Sequence, residues 1–249
     1  MSNEPSARGD WSCVAPDGGL SYPCRWVVQQ KREGLVAKVQ SIRRRTAARS
    51  VRPKGVHQFL IVLSGSDPLV WRRIQVPETY SFWDLHVAIQ DAMGWLDYHL
   101  HEFRLVDGEG AVVSIGIPTG EESDERPVLQ GADVPIADYF ERGEWHAPPA
   151  LYAYDFGDDW EHALVHEGMQ MAQASATYPR CLGGARRCPP EDCGGLHGYL
   201  EFLRAIADPK HPEHQSMKEW AGPFDPDQFN PARVKFDDPR KRWRKAFER

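Results

Sequence analysis

A chain of 249 residues holds one large or two small domains, and an apolar content of 41% with nine tryptophans supplies a core with bulky anchors. No run of about eighteen apolar residues occurs, which argues against a membrane-spanning helix. The net charge of −6 divides unevenly: residues 1–55 hold eleven Lys and Arg against four Asp and Glu, a net +7, and the remainder holds nineteen against thirty-two, a net −13.

A basic arm therefore joins an acidic body. The N-terminal MSNEPSARGD has no apolar signal region, so the expected compartment is the cytoplasm. There the five cysteines read as thiols or ligands before structural disulfides. The arm and linker, residues 1–55, are expected to be solvated and partly disordered. Their densest basic part is Arg43, Arg44, Arg45, Arg49, Arg52 and Lys54, the one stretch suited to nucleic acid. The acidic body argues against a broad nucleic-acid groove, because phosphates demand clustered cations. Cys13 and Cys24 are a lone pair that spacing leaves unassigned.

The body opens at Val56 with HQFLIVLSG, an apolar β-branched run that reads as a buried strand. Asp67 and Pro68 make a turn, and LVWRRIQVP reads as the hairpin partner, with Arg72 and Arg73 near its surface. Ser81 and Asp84 form a capping box for a helix. Phe82, Leu85, His86, Ile89, Ala92 and Met93 line one face of it, and Gly94 ends it. His86 on that face reads as a packed, hydrogen-bonded histidine. WLDYHLHEFRL then turns into a strand with His99, His101 and Phe103 on one face. VDGEGAVVSIG is a hairpin, the acidic PTGEESDERP an exposed loop, and VPIADYFERGEW a short helix.

LYAYDFGDDWEHALVHEG, residues 151–168, is more informative. Asp155, Asp158 and Asp159 crowd a turn between two β-rich runs, and His162 and His166 follow on one strand face. Carboxylates beside histidines are the parts of a mixed metal site or an acid–base pair; an Asx-stabilised turn is the plain alternative. Asp155-Phe156-Gly157 matches the kinase metal-binding corner, but no Gly-rich phosphate loop or H-R-D loop accompanies it.

Cys181-x6-Cys188-x4-Cys193-x3-His197 gathers four soft or borderline donors on a sharply turning segment. Zinc accepts such a set. A half-buried thiol cluster and a disulfide are the two alternatives. Within it, Glu191 and Asp192 could face the 155–162 turn. Beyond, Tyr199, Phe202, Leu203 and Ile206 mark a helix, HPEHQSMKEWAG another, and residues 237–249 a charged tail helix.

WLDYHLHEFRL, YAYDFGDDWEHALVHE, CPPEDCGGLHGYLEFLRAI, ADPKHPEHQSMKEW and FDPDQFN occur in an order that resembles the plasmid pRiA4b ORF-3-like family over roughly residues 55–235. The resemblance implies a single compact α+β domain of bacterial, archaeal, plasmid and mobile-element contexts, and it brings no reaction with it. The predicted fold is α+β: a mainly antiparallel sheet, one amphipathic helix after the first hairpin, and a helical C-terminal part, with the domain at 56–236.

Three functions follow as expectations. One is an accessory binding module for a protein partner, with structural zinc held by Cys181, Cys188, Cys193 and His197. The second is a metal-dependent hydrolase drawing on His99, His101, Asp155, Asp158, Asp159 and His162, with Asp158 or Glu161 as general base. The third is a nucleic-acid-associated protein that binds through its arm.

Overall fold

The structure is a computed structural model that describes residues 12–13, 22–23, 53–118, 127–140 and 149–248. The chain divides into two compact units, Met1–Arg44 and Arg45–Arg249. In the first, β1 (Ser12–Cys13) pairs antiparallel with β2 (Tyr22–Pro23). Arg43, Arg44, Arg45, Arg49, Arg52 and Cys24 lie outside the described residues, as does most of the acidic 118–127 loop.

The second unit is built on one eight-stranded sheet. Its strands are β3 (Gly55–Leu63), β4 (Trp71–Pro77), β5 (His101–Val106), β6 (Val112–Gly116), β7 (Val128–Gln130), β8 (Ala150–Tyr154), β9 (Trp160–Met171) and β10 (Arg180–Ala185). Their order is β10-β4-β3-β9-β8-β5-β6-β7, antiparallel except for the β6–β7 pair. The α+β reading is therefore correct.

Register decides which side chains share a face. Ile61 pairs with Arg72 and Leu164, Leu63 with His162, Tyr152 with His162 and Phe103, and Phe103 with Ile115. Alternation then puts Phe59, Ile61, Leu63, Ile74, Phe103, Ile115, Tyr152 and Leu164 on one face, all of them fully buried. Helix α1 (Phe82–Met93) belongs to the same core. It starts on the expected capping box: Ser81 Oγ accepts from the Asp84 N–H (3.2 Å) and Asp84 Oδ2 from the Ser81 N–H (3.1 Å). It stops at Gly94, whose φ of 97° suits only glycine without strain. Its Phe82 and His86 meet Phe103 and His101 of β5; the two imidazoles stack with centroids 3.4 Å apart. Each large apolar side chain buried here contributes about 1.5–3 kcal/mol.

Helix α2 (Gly195–Ala207) adds Tyr199 and Phe202 to the core, with α3 (His214–Ala221) beside it. Helix α4 (Pro239–Phe247) is where the charged tail was expected, but it is not a free appendage. Trp243 packs edge-on against Trp83 of α1 at 5.1 Å, and the Trp83 indole N–H donates to the Pro239 carbonyl at 3.0 Å. The short helix expected over 134–145 is a 3-10 turn at Ile136–Asp138, with 141–148 outside the described residues. One other reading changes. Arg72 is buried at 1% exposure, not near the surface. No helix among the described residues is long and apolar enough to cross a membrane.

Candidate metal centre

At one end of the sheet three loops meet. The first follows α1 (residues 95–100), the second is the β8–β9 turn (155–159), and the third (188–194) leads into α2. Hydrogen bonds stitch them together. The Trp95 indole N–H donates to the Pro189 carbonyl (3.1 Å), and the Leu96 N–H donates to Glu191 Oε1 (2.7 Å). The Tyr154 hydroxyl donates to Glu191 (3.2 Å) and accepts from the Tyr98 N–H (3.1 Å). Asp158 Oδ2 accepts from the Gly194 N–H at the start of α2 (3.1 Å). The approach there is close enough to need glycine: a Cβ on Gly195 would stand 2.4 Å from the Asp158 carbonyl oxygen.

The same loops concentrate unusual backbone. Asp97, Asp155, Asp159 and Asp192 all have φ between 54° and 60°. Aspartate tolerates this left-handed region better than most residues, and non-glycine residues held there gather at functional sites. Two of these aspartates aim a carboxylate at His99. Its Nε2 lies 3.1 Å from Asp192 Oδ1 and 3.5 Å from Asp155 Oδ2. The three donor atoms all fall within 4.8 Å of one another. Yet His99 Nε2 is enclosed and has no hydrogen-bond partner, so neither carboxylate is aligned to take a proton from it. Asp155 is fixed from the other side: its Oδ1 accepts from the Gly157 N–H (2.9 Å) and the Asp158 N–H (3.3 Å). The expected Asx turn is thus present, and it leaves Oδ2 directed at His99.

Exposure grades across the group. The Asp155 side chain is 9% exposed, His99 29% and Asp192 67%, so the cluster has a closed back and an open front. Tyr98 and Phe156 stand exposed beside it. Burial raises the Glu191 carboxyl above the ordinary range, against the lowering effect of the Leu96 N–H. One imidazole with two carboxylates is a mixed donor set, suited to divalent manganese, iron, cobalt or zinc.

The other expected site residues are distributed differently. His101 and His162 are not at this centre. Both point into the core, His101 stacked on His86 and His162 bonding the Tyr152 carbonyl through Nδ1 at 3.1 Å. Burial holds both imidazoles neutral, His162 down at about 4 and His101 well below its usual value. Asp158 is spent on Gly194, Asp159 is exposed, and Glu161 alternates with His162 onto the opposite sheet face.

The cysteines do not pair, which removes the disulfide alternative: Cys181, Cys188 and Cys193 are all free. Cys181 sits in edge strand β10, its thiol donating to the Gly183 carbonyl at 3.4 Å. Cys188 is buried in the core and Cys193 packs against it, whereas His197 is exposed on α2. Burial raises all three thiols, Cys193 to about 12. Among the described residues the only His, Cys, Asp and Glu donors that converge in a group of three or more are those of His99, Asp155 and Asp192. Lys54, the one described residue of the basic stretch, is exposed and bonds Glu78 through its N–H. Asp192 and Glu191 are the residues that sequence reasoning left out of its site; the clue was an acidic pair inside a turning segment.

Comparison with known proteins adds a family. The profile described as plasmid pRiA4b ORF-3-like protein matches residues 55–233. The uncharacterized protein y4hQ of Sinorhizobium fredii (strain NBRC 101917 / NGR234) is 36% identical over 198 residues, covering 78% of this chain and 97% of that protein. A crystal structure of a protein of unknown function from Methanosarcina mazei Go1 superposes with a TM-score of 0.67 at 40% identity, covering 74% of this chain and 99% of the other.

Proposed function

The chain belongs to the plasmid pRiA4b ORF-3-like family, and from that premise we propose that it is a metal-dependent protein of hydrolytic type, with its centre at His99, Asp155 and Asp192. One observation carries this: three donor atoms on three separate loops converge within 4.8 Å, and the imidazole nitrogen among them has no hydrogen bond. A proton-sharing His–Asp pair would align its bond; a set of lone pairs facing a common point would not.

Three protein ligands leave coordination positions for water and substrate, unlike a four-ligand structural zinc site. A bound divalent ion supplies Lewis acidity and lowers the pKa of coordinated water. To Glu191 we assign the proton acceptor's role, since the Leu96 N–H and the Tyr154 hydroxyl hold its carboxylate beside Asp192. With an ion held by His99, Asp155 and Asp192, Glu191 would be placed to take a proton from water as its oxygen added to a carbonyl or phosphoryl centre and to return that proton to the leaving group.

Cobalt(II) titration followed by absorption spectroscopy tests the reading. The expected result is one ion per chain with no thiolate-to-cobalt charge-transfer band. His99→Ala and Asp155→Asn should each weaken binding at least about tenfold, since losing even an outer partner that orients a ligand typically costs roughly 10–100-fold. Cys181→Ala and Cys193→Ala should leave it unchanged. A thiolate band lost in Cys193→Ala would move the metal to the cysteine segment and overturn the proposal, as would no uptake at all. Glu191→Gln should keep the ion and slow hydrolysis of p-nitrophenyl acetate or bis(p-nitrophenyl) phosphate, whichever the loaded protein cleaves.

A further inference from the structure

A groove of roughly 420 Å³ opens between α2 and α3, and Asp192, from the loop before α2, is among the residues that line it. Gly198 and Phe202 line it from α2, and Ser216, Met217 and Trp220 line it from α3. Its apolar surface is real: Phe202 is 2% exposed and meets the Trp220 ring edge-on at 5.8 Å, while Trp220 keeps 52% of its own surface open. That volume falls in the range of small-molecule sites, about 300–1,000 Å³. It is too small for a protein surface to seat there.

The groove has no cationic wall. Neither lysine nor arginine lines it; the acids Asp192 and Glu201 do, and burial raises the Cys193 thiol beside them. An anionic head group would be repelled by the groove alone. One that reached past Asp192 would meet the metal ion of the proposed centre, because Asp192 belongs to both. The shared Asp192 sets the proposed order of the two parts: oxygen donor at the metal, apolar body toward Trp220.

We infer that the substrate or ligand is a small molecule with an anionic oxygen-donor head, which binds the ion at His99, Asp155 and Asp192, and an aromatic or branched apolar body, which lies along Phe202, Met217 and Trp220. The inference rests on the metal reading above and adds the chemical class of what that centre takes. Gly198 contributes by leaving the wall bare where α2 begins. A Cβ there would stand 1.9 Å from the Cys193 carbonyl oxygen, so the helix start and the groove wall are held together by the absence of a side chain.

Two hydroxamates separate the parts, acetohydroxamate carrying the head alone and benzohydroxamate adding a ring. Calorimetric titration of the cobalt-loaded full chain should give benzohydroxamate about tenfold tighter binding or more, since burying a ring of that size is worth a decade or two in affinity. Trp220→Ala should bring the two within about threefold of each other while the affinities for cobalt and for acetohydroxamate stay as in the parent. Ser216→Trp, which fills the groove from an exposed position, should do the same and guards against a fold defect in the first variant. Equal affinities in the parent, or a preference that survives both substitutions, would overturn the groove assignment with the metal centre intact. Benzohydroxamate binding equally well without cobalt would overturn the head-to-metal order. Failure of the chain to take up cobalt, read in the prior titration, removes the metal reading and this inference with it.

Discussion

Arg72 shows how far a single residue can depart from its surroundings in sequence. It sits in LVWRRIQVP beside a second arginine, and a charged pair in a hairpin reads as solvated. Instead its guanidinium is buried and donates to the carbonyls of Ala92 (2.8 Å), Trp71 (2.7 Å) and Ala185 (2.8 Å), with the Phe229 ring 3.7 Å from its centre. Burial lowers its pKa, but arginine stays charged in proteins. Those partners come from α1, β10 and the segment after α3, so the side chain ties three elements to β4. Arg72→Met should cost about 2–5 kcal/mol in urea unfolding, because it strands one buried and two half-buried carbonyls. Arg72→Lys should recover only part, since an ammonium cannot reproduce the planar fork. A methionine variant within about 1 kcal/mol of the parent would contradict this role. The candidate site has the same character. His99 and Asp155 were legible because each lies in a segment dense in chemistry-bearing residues. Asp192 was read as able to face the 155–162 turn but given no role, because its aim depends on a left-handed backbone 37 residues further along, and the cysteines around it drew the metal reading to themselves.

At the scale of elements, legibility followed how local the determining interactions are. Helix α1 was readable to its ends because its cap, apolar face and stop all lie within fourteen residues. The β3–β4 hairpin and the β5–β6 hairpin were readable for the same reason. Helix α4 was seen as a charged tail helix, but nothing within PRKRWRKAFE shows what its half-buried face meets. What it meets is α1. Arg242 pairs with Asp91 at 2.6 Å and reaches Asp97 at 3.7 Å, and Trp243 covers Trp83. Burial raises the Asp91 carboxyl, and the nearby guanidinium partly offsets that. Trp243→Ala and Arg242→Met should each lower stability by about 1–3 kcal/mol, the second by leaving Asp91, whose side chain is 7% exposed, without its cation. Their combined effect should fall short of the sum, because either change undocks the same helix. Strict additivity in urea midpoints would mean that α4 is held at two independent points.

The whole unit carries a charge design that no single element shows. Its core face mixes imidazoles with aliphatic and aromatic rings: His57, His86, His101 and His162 are all buried. A histidine whose folded pKa is depressed releases protons on folding, so the folded state gains stability above the unfolded value of about 6.5 and loses it as the pH falls toward the folded value. For His162, which burial holds at about 4, the loss begins near pH 6.5 and continues down to about 4. His166, also lowered to about 4 by burial and by His57, acts in the same direction. Buried carboxyls work the other way. Asp84 and Asp91 are raised by burial, so they favour folding as they protonate. Between pH 7 and 5.5 the histidines of the unfolded chain, with an ordinary value of about 6.5, take up protons. Linkage assigns about 1 kcal/mol of the loss across that window to His162 alone. His162→Asn keeps a donor for the Tyr152 carbonyl and has no proton to gain, so its urea stability should decline by about 1 kcal/mol less than the parent's over the same interval. Parallel declines would show that His162 is already open to protonation in the folded protein, and the sheet's inner face would then be wetter than its packing implies.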